Sequence, residues 1–136
     1  MNGFQLLDWF SALSRFVILI HDHPFLHWDL LVQCGDVLRS WRLLESPARW
    51  LSDPSIAVAA ESIAAHRLMY LDYEGPVSRE RGQVARWDQG LAEWISEDGS
   101  SVRVRLNGER LVGELTIDRD TLRPLWSARF FPEVPA

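Results

Sequence analysis

Short apolar runs separated by turn residues constrain the fold of this chain more than any other feature. Each run is five to eight residues long, and the turns between them are built from glycine, aspartate, asparagine and serine. Roughly eight strands at this spacing indicate an antiparallel β-barrel or β-sandwich. The predicted strands are residues 16–20, 26–33, 37–44, 83–87, 91–95, 102–106, 110–117 and 124–131, and the predicted turns are 35–36, 88–90, 98–100 and 107–108.

The segments outside these strands are less regular. Residues 45–55 contain two prolines and three serines and are predicted as an irregular crossing segment. Residues 56–65 fit either a helix or a strand, and residues 68–73 are predicted to be extended and to lead into a polar loop. Apolar residues at helical spacing predict a short N-terminal helix over residues 2–14, capped by Asn2.

The composition is that of one soluble globular domain. The 136 residues are 47% hydrophobic and 24% charged, and most of the seven tryptophans fall within predicted strands, where they are expected in the core. No apolar run approaches the roughly 20 residues of a membrane-spanning helix. The N-terminus lacks the features of a secretory signal, and the single Cys34 cannot form an internal disulfide. We therefore expect a cytoplasmic protein that does not associate with membranes.

The charge distribution limits how this chain could bind nucleic acid. The net charge is -5, and all 14 basic residues are arginines. An acidic protein is not steered globally toward a polyanion. Binding to nucleic acid would therefore depend on a local cluster of arginines.

The segment 21–29 carries the strongest chemical signal, because it holds three of the four histidines and two aspartates. Residues two apart in a strand project to the same face, so His27, Asp29 and Leu31 are expected to share a face. His21, at the end of the preceding strand, could reach the same point. Two imidazoles and a carboxylate predict a Mn²⁺ or Zn²⁺ site with open coordination positions, although histidines at strand ends are also often simply solvent-exposed.

Residues 21–29, 35–41, 66–75 and 82–90 form four motif blocks, and together these blocks resemble the 3′-phosphoesterase domain of bacterial DNA ligase D and its stand-alone relatives. Residues 21–29 match the family pattern His-Asp-x-x-x-Leu-His-(aromatic)-Asp, and residues 35–41 are similar to its Gly-x-Leu-x-Ser-Trp segment. Residues 66–75 are similar to its His-Pro-x-x-Tyr-x-x-(Phe/Tyr)-Glu-Gly, and residues 82–90 to its Gly-x-Val-x-x-Trp-Asp-x-Gly. The blocks occur in the family's order and extend over about residues 16–131.

This resemblance implies a fold and an activity. The fold would be mainly β, a small closed antiparallel β-barrel, with the short N-terminal helix and one or two surface helical segments added to it. The chain would form one phosphoesterase-like domain over residues 1–136, comprising a helical extension (1–15), the barrel (16–131) and a tail (132–136). The family implies a Mn²⁺-binding enzyme that removes a terminal ribonucleoside and then the 3′-phosphate from DNA in end joining.

The resemblance also assigns residues to the site. His21, His27 and Asp29 would bind the metal, His66 would contact phosphate or act as acid/base, and Tyr70 would contact phosphate. The spacing of His66 and Tyr70 alone gives them no role. The implied partners are DNA 3′ ends and a separate ligase or polymerase of end joining. The candidate substrate-binding residues are Arg42, Arg67, Arg79, Arg81 and His23.

Two positions depart from the family pattern. Leu31 stands where the family has an arginine that contacts phosphate, and Glu45 falls near the place of a phosphate-contacting lysine. The loop at 75–82 is also shorter than the glycine-rich loop of the ligase-fused form. These changes remove much of the expected phosphate clamp. The protein would therefore either use other arginines or be a catalytically weak or inactive metal-binding module that binds DNA ends or a partner. A phosphoesterase for a smaller phosphate ester and a structural barrel with incidental histidines are further alternatives.

Overall fold

The computed structural model describes residues 14–134, and these form one antiparallel sheet that closes on itself. The predicted N-terminal helix over residues 2–14 falls almost entirely outside the described residues. The helical elements are a short α-helix, α1 (Arg49–Ser52), and a 3₁₀ helix (Leu68–Leu71). The strands are β1 (Ser14–His21), β2 (His27–Cys34), β3 (Val37–Leu43), β4 (Val58–Arg67), β5 (Gly75–Pro76), β6 (Gln83–Glu97), β7 (Ser101–Gly108), β8 (Val112–Arg119) and β9 (Trp126–Pro132).

The strand order closes the sheet into a ring. Neighbours run β1-β2-β3-β4-β9-β8-β7-β6, and a further pairing of β1 with β6 joins the two ends, with β5 added beside β6. Closure pairs the backbone groups that would otherwise be exposed at the sheet edges. The prediction of a mainly β, closed antiparallel architecture with minor surface helices is confirmed.

The main hydrophobic core lies on the face of each strand that points into the ring. In β1 and β2 this face carries Phe16, Ile18 and Leu30, none more than 1% exposed. Trp41 and Trp50 are also fully buried, and Trp87 is 8% exposed. Three further tryptophans are partly buried against this core: Trp28, Trp94 and Trp126. The prediction that most tryptophans are core residues is confirmed for those that the structure describes.

The prediction of a turn at residues 88–90 is wrong, because β6 continues through it as one strand of 15 residues. The strand bends instead at two β-bulges. Ile18 and Leu19 of β1 pair with Asp88 and Arg86, which leaves one extra residue in β6, and a second irregularity follows Trp94. These bulges let one strand pair with β1 along one part and with β7 along another.

Asp88 does not form a turn itself but stabilises one. Its buried carboxylate accepts hydrogen bonds from the backbone N–H groups of Gln89, Glu109, Arg110 and Leu111, at 2.8–3.0 Å. It therefore provides the hydrogen-bond acceptors for the turn between β7 and β8, which follows the strand paired with β6. The polar residue that resembled a turn signal in the sequence serves a turn in another part of the chain.

The structure also shows the conformation of residues 56–65 and 68–73. Residues 56–65 proved ambiguous in sequence, and β4 shows that most of this segment is a strand. The prediction of an extended segment at residues 68–73 is wrong, because Leu68–Leu71 forms the 3₁₀ helix. Its Leu71 is 4% exposed and packs against the outside of the sheet.

A second, smaller hydrophobic core lies on the outer face of β1, β2 and β3. It consists of Val17, Leu19, Leu31, Leu38, Leu71 and Val84. The 3₁₀ helix and the segment up to β6 cover it. The outer face at this point is therefore not a solvated barrel wall, and it can support a buried polar site. Among residues 14–134, no helix is long and apolar enough to cross a membrane.

We expect Asp88→Ala to lower the free energy of unfolding by about 3 kcal/mol or more, because it leaves several buried N–H groups without an acceptor. Urea denaturation followed by tryptophan fluorescence measures this change. Asp98→Ala is the matched control, since Asp98 also accepts backbone N–H groups in a turn, from Ser100 and Ser101, but is exposed. A loss for Asp88→Ala no larger than for Asp98→Ala would contradict this role.

Candidate metal centre

The register of β1 and β2 brings together the three residues predicted to bind metal. His21 lies directly opposite His27, and Leu19 lies opposite Asp29. All three side chains project from the outer face, beside the smaller core, while Trp28 and Leu30 point the other way. One potential ligand atom from each of His21, His27 and Asp29 lies within 4.8 Å of the others. The predicted sharing of a face by His27, Asp29 and Leu31 is confirmed.

Backbone carbonyls set which imidazole nitrogens carry protons. The Nδ1 of His27 lies 2.8 Å from the carbonyl oxygen of Phe25, and the Nε2 of His21 lies 2.8 Å from that of Arg81. A carbonyl only accepts, so each of these nitrogens donates an N–H. In the neutral rings, the opposite nitrogens, Nε2 of His27 and Nδ1 of His21, therefore present lone pairs.

Both lone pairs face the carboxylate of Asp29. His27 Nε2 lies 3.1 Å from Asp29 Oδ1, and His21 Nδ1 lies 3.2 Å from Asp29 Oδ2. Within residues 14–134, His27 Nε2 and Asp29 Oδ1 are both buried without a hydrogen-bond partner. Facing lone pairs repel unless a cation lies between them, either a proton on histidine or a metal ion. The donor set therefore fits a divalent ion such as Mn²⁺ or Zn²⁺.

Asp29 is held in its ionised form. Burial of its side chain works to raise the pKa, but a hydrogen bond from His27 and the positive charges of His27, His21 and His66, which these rings carry in their protonated forms, outweigh this effect. The pKa of Asp29 therefore lies below the ordinary aspartate value of 3.8. The centre keeps its anionic ligand at neutral pH.

The loop before β6 helps to hold His21 in position. Asp22 Oδ1 accepts a hydrogen bond from the backbone N–H of Gln83 at 2.8 Å, which fixes the loop beside the end of β1. Gly82 has a φ of +77°, and a Cβ at this residue would lie 2.2 Å from Asp22 Oδ1. Because this loop supplies the Arg81 carbonyl, Asp22 and Gly82 both help to orient His21. The sequence analysis assigned no role to Asp22.

A β-bulge directs His66 toward the same centre. Ser40 of β3 pairs with Ile63 and Leu38 pairs with His66, so three steps along β4 match two along β3. With regular alternation, the side chain of His66 would be on the opposite face from that of Ile63. The extra residue places it on the outer face, where it lines a cavity of about 570 Å³ together with Asp29.

Ser40 orients His66, and sequence reasoning missed it as a site residue. The Ser40 hydroxyl donates to the Leu38 carbonyl at 2.8 Å and lies 2.8 Å from His66 Nδ1. Nδ1 must therefore donate to Ser40 Oγ, with the Ala64 carbonyl as a second acceptor at 3.1 Å. This arrangement leaves Nε2 of His66 with its lone pair. The only sequence signal was the Ser-Trp pair of the second matching block.

The pKa of His66 is lowered, chiefly by burial, which disfavours the charged ring. The positive charges of His21 and Arg42 lower it further, while the charge of Asp29 and the Ala64 carbonyl act in the opposite direction. His66 is therefore neutral at neutral pH.

The cavity contains most of the other predicted site residues. Its walls include Tyr70, whose ring lies edge-on to His66 with the centroids 5.6 Å apart, and the candidate substrate-binding residues His23, Arg42, Arg67 and Arg81. Arg79 does not line this cavity; it lies in the exposed loop with a φ of 61°. The proposed roles of all these residues stay predictions.

The two departures from the family pattern have clear structural settings. Leu31 is fully buried in the smaller core. Glu45 forms an ion pair with Arg49 of α1 and is not part of the cavity wall. The acidic residue at position 45 therefore does not place a negative charge among the residues that line the cavity.

Comparison with known proteins agrees with the resemblance seen in the sequence. The model of the DNA ligase D 3′-phosphoesterase domain family matches residues 20–119, a segment that includes His21, His27, Asp29 and His66. The chain is also similar to the multifunctional non-homologous end joining protein LigD of Pseudomonas aeruginosa, with 28% identity over 123 residues. This match covers 83% of the chain but only 14% of that relative, so the chain spans a small part of its length. The predicted family is confirmed.

We expect the His66 imidazole of the metal-free protein to titrate below the ordinary histidine value of 6.5. NMR of its ring protons against pH measures the midpoint. Arg42→Gln should raise the midpoint, because it removes a nearby positive charge, whereas Arg103→Gln on the far strand β7 should not change it. A midpoint at or above 6.5 in the unaltered protein would contradict this account of burial.

The lowered pKa of His66 also links the stability of the fold to pH. The unfolded chain takes up a proton at His66 at a higher pH than the folded chain does. The contribution of His66 to stability therefore falls as the pH drops through 6.5 toward its lowered pKa.

Proposed function

The chain belongs to the DNA ligase D 3′-phosphoesterase domain family, and on this basis we propose that it is a metal-dependent phosphoesterase that acts on 3′ ends of DNA. The substrate would be a 3′-phosphate or a 3′-terminal ribonucleoside, and the product a 3′-hydroxyl that a polymerase or ligase of end joining can use. The relative from Pseudomonas aeruginosa carries the name of an end-joining protein. This supports a role in processing DNA ends.

The observation that carries the proposal is the convergence of His21, His27 and Asp29 beneath a cavity lined by His66. In this proposal these three residues hold Mn²⁺ or Zn²⁺, and a bound divalent ion supplies Lewis-acid chemistry at phosphoryl oxygens. The exposed fraction of the His27 side chain is 0% and that of Asp29 is 5%. Ligands enclosed in this way interact strongly with a cation, because little water screens them.

His66 is the proposed acid/base group. Its neutral ring presents the Nε2 lone pair, since Nδ1–H is held by Ser40 and Ala64. Nε2 can accept the proton of an attacking water and later return it to the departing oxygen of the sugar, which leaves a hydroxyl. Tyr70 would contact phosphate beside it, and arginines of the wall would stabilise the charge that develops on the phosphoryl oxygens.

A second candidate function is a metal-binding module that recognises DNA ends or a ligase or polymerase without turnover. The burial of Leu31 favours it, because no guanidinium can project from that position in this chain. The carboxylate of Glu45 adds no support, because it pairs with Arg49 away from the cavity. The two candidates share the metal centre and differ in chemistry.

We expect the purified protein to bind Mn²⁺ or Zn²⁺, and His27→Ala to weaken this binding by more than the roughly 10–100-fold typical of losing a residue that only hydrogen-bonds to a metal ligand. Isothermal titration of chelator-treated protein measures the affinity. His23→Ala is the control, since it removes an exposed histidine from the connection between β1 and β2 that is not part of the three-residue centre. Equal affinities for the His27→Ala variant and the unaltered protein would place the metal elsewhere.

We also expect Mn²⁺-dependent release of phosphate from a 3′-phosphate primer-template. His66→Ala should lower kcat by about 10²–10⁴-fold, the usual contribution of general acid–base catalysis. Phosphate release and gel analysis of the primer measure this activity. Phosphate release by His27→Ala equal to that of the unaltered protein would contradict the proposed site. Tight DNA binding in a gel-shift assay, with no product over hours, would instead support the non-catalytic module.

A further inference from the structure

Three charged residues form a row across the outer face of the sheet. Asp29 of β2 lies directly opposite Arg42 of β3, and Arg42 lies directly opposite Glu61 of β4. Residues opposite one another in an antiparallel pair project to the same face. Arg42 is therefore the basic residue beside the anionic ligand of the candidate metal centre, and it lines the same cavity as His66.

The hydrogen bonding of Arg42 is incomplete. Its closest carboxylate oxygen is Glu61 Oε1, at 3.7 Å from Nη1, which is longer than a hydrogen bond. Its Nε is buried and has no hydrogen-bond partner within residues 14–134. The guanidinium carbon also lies 5.5 Å from the Phe25 ring, which supports the side chain from one side. An enclosed N–H without an acceptor costs free energy, so an oxyanion that pairs with this guanidinium would be bound favourably.

The other arginines of the cavity are placed less well for this role. Arg81 donates from Nε and Nη2 to the carbonyl and hydroxyl of Ser78, which engages its guanidinium within its own loop. Arg67 lies at the end of β4 and is exposed. Arg42 differs from both because it combines a partly buried side chain, a strand position fixed on two sides and direct adjacency to Asp29.

Leu31 explains why the cation comes from β3. Leu31 is the next residue after Asp29 on the same face of β2, and its side chain is packed with Val17, Leu38 and Leu71. A guanidinium there would have to be buried in an apolar cluster. Arg42 provides the positive charge from the neighbouring strand without disturbing that cluster.

We propose that Arg42 binds the terminal phosphate of the substrate, and that Glu61 holds Arg42 in place until the phosphate displaces it. This inference rests on the proposed function, since it assumes a 3′-phosphate substrate. A planar guanidinium can pair two N–H groups with two oxygens of a phosphomonoester, which an ammonium group cannot match. Glu61 competes with the phosphate for the same cation, so its removal should strengthen phosphate binding.

The test compares binding of two oligonucleotides that differ only in a 3′-phosphate or a 3′-hydroxyl. Fluorescence anisotropy in EDTA, which stops metal-dependent turnover, gives the ratio of the two affinities. We expect Arg42→Ala to reduce this ratio by about tenfold or more, and Arg42→Lys to reduce it less. Glu61→Gln should increase it about two- to fivefold. Circular dichroism and thermal unfolding confirm that each variant is folded.

The chain offers a matched control pair. Arg103 and Glu114 also form an ion pair between neighbouring strands, at 2.8 Å, but lie in β7 and β8 away from the cavity. Arg103→Ala and Glu114→Gln make the same charge changes and should leave the ratio unaltered. If Arg42→Ala and Arg103→Ala changed the ratio equally, the change would be explained by net charge alone, and the assignment of Arg42 would be overturned.

A kinetic measurement separates failure of this inference from failure of the proposed function. If the unaltered protein releases phosphate from 3′-phosphate DNA, Arg42→Ala should raise KM at least as strongly as it lowers the affinity ratio. Unchanged KM and an unchanged ratio would overturn the role of Arg42 while leaving the phosphoesterase activity established. A protein that neither releases phosphate nor distinguishes the two oligonucleotides would overturn both proposals.

Discussion

The antiparallel register between β1 and β2 is the constraint on which the candidate site depends. It sets His21 opposite His27 and Leu19 opposite Asp29, so that both histidines and the carboxylate emerge on one face. A shift of one residue would turn His27 and Asp29 into the ring and move Trp28 and Leu30 outward. The large apolar side chains of the main core therefore enforce the register that the polar site needs. Stability of the barrel and assembly of the centre are consequences of the same strand pairing.

The centre is polar but lies in apolar surroundings, and its surroundings explain its chemistry. Beneath it, the smaller core of Leu19, Leu31 and Leu71 excludes water, while the carbonyls of Phe25 and Arg81 hold both rings from the side. These carbonyls commit one nitrogen of each ring and leave the other facing Asp29. A histidine pair arranged only to stabilise a fold would direct N–H groups at the carboxylate. Here, the rings in their neutral forms direct lone pairs at it, an arrangement that a proton or a metal ion between them would stabilise.

The architecture and part of the candidate site were predictable from the sequence, because they depend on local sequence patterns. Alternation along residues 26–33 predicted the shared face of His27 and Asp29, and the spacing of apolar runs predicted the all-β architecture. The continuity of β6 through Asp88 could not be predicted, because Asp88 accepts hydrogen bonds from a turn that lies 21 to 23 residues later in the chain. The orientation of His66 depends on a bulge, and the role of Ser40 on a pairing between β3 and β4. The orientation of His66 and the role of Ser40 both depend on non-local strand pairing, so the spacing of residues within the chain does not predict them.

Leu31 affects both the packing of the smaller core and the distribution of charge on the outer face of the sheet. An apolar residue there seals the smaller core against the 3₁₀ helix, and this packing supports the floor of the cavity. The same choice removes a cation from β2, in a chain whose net charge is already -5. An acidic protein can hold a phosphate only where local basic groups outweigh the overall field. Arg42 supplies a positive charge on the same face from the adjacent strand, where it lies opposite Asp29 of β2 and Glu61 of β4. In this arrangement, the position of the positive charge is decided by strand register, as is the position of the candidate metal-binding residues.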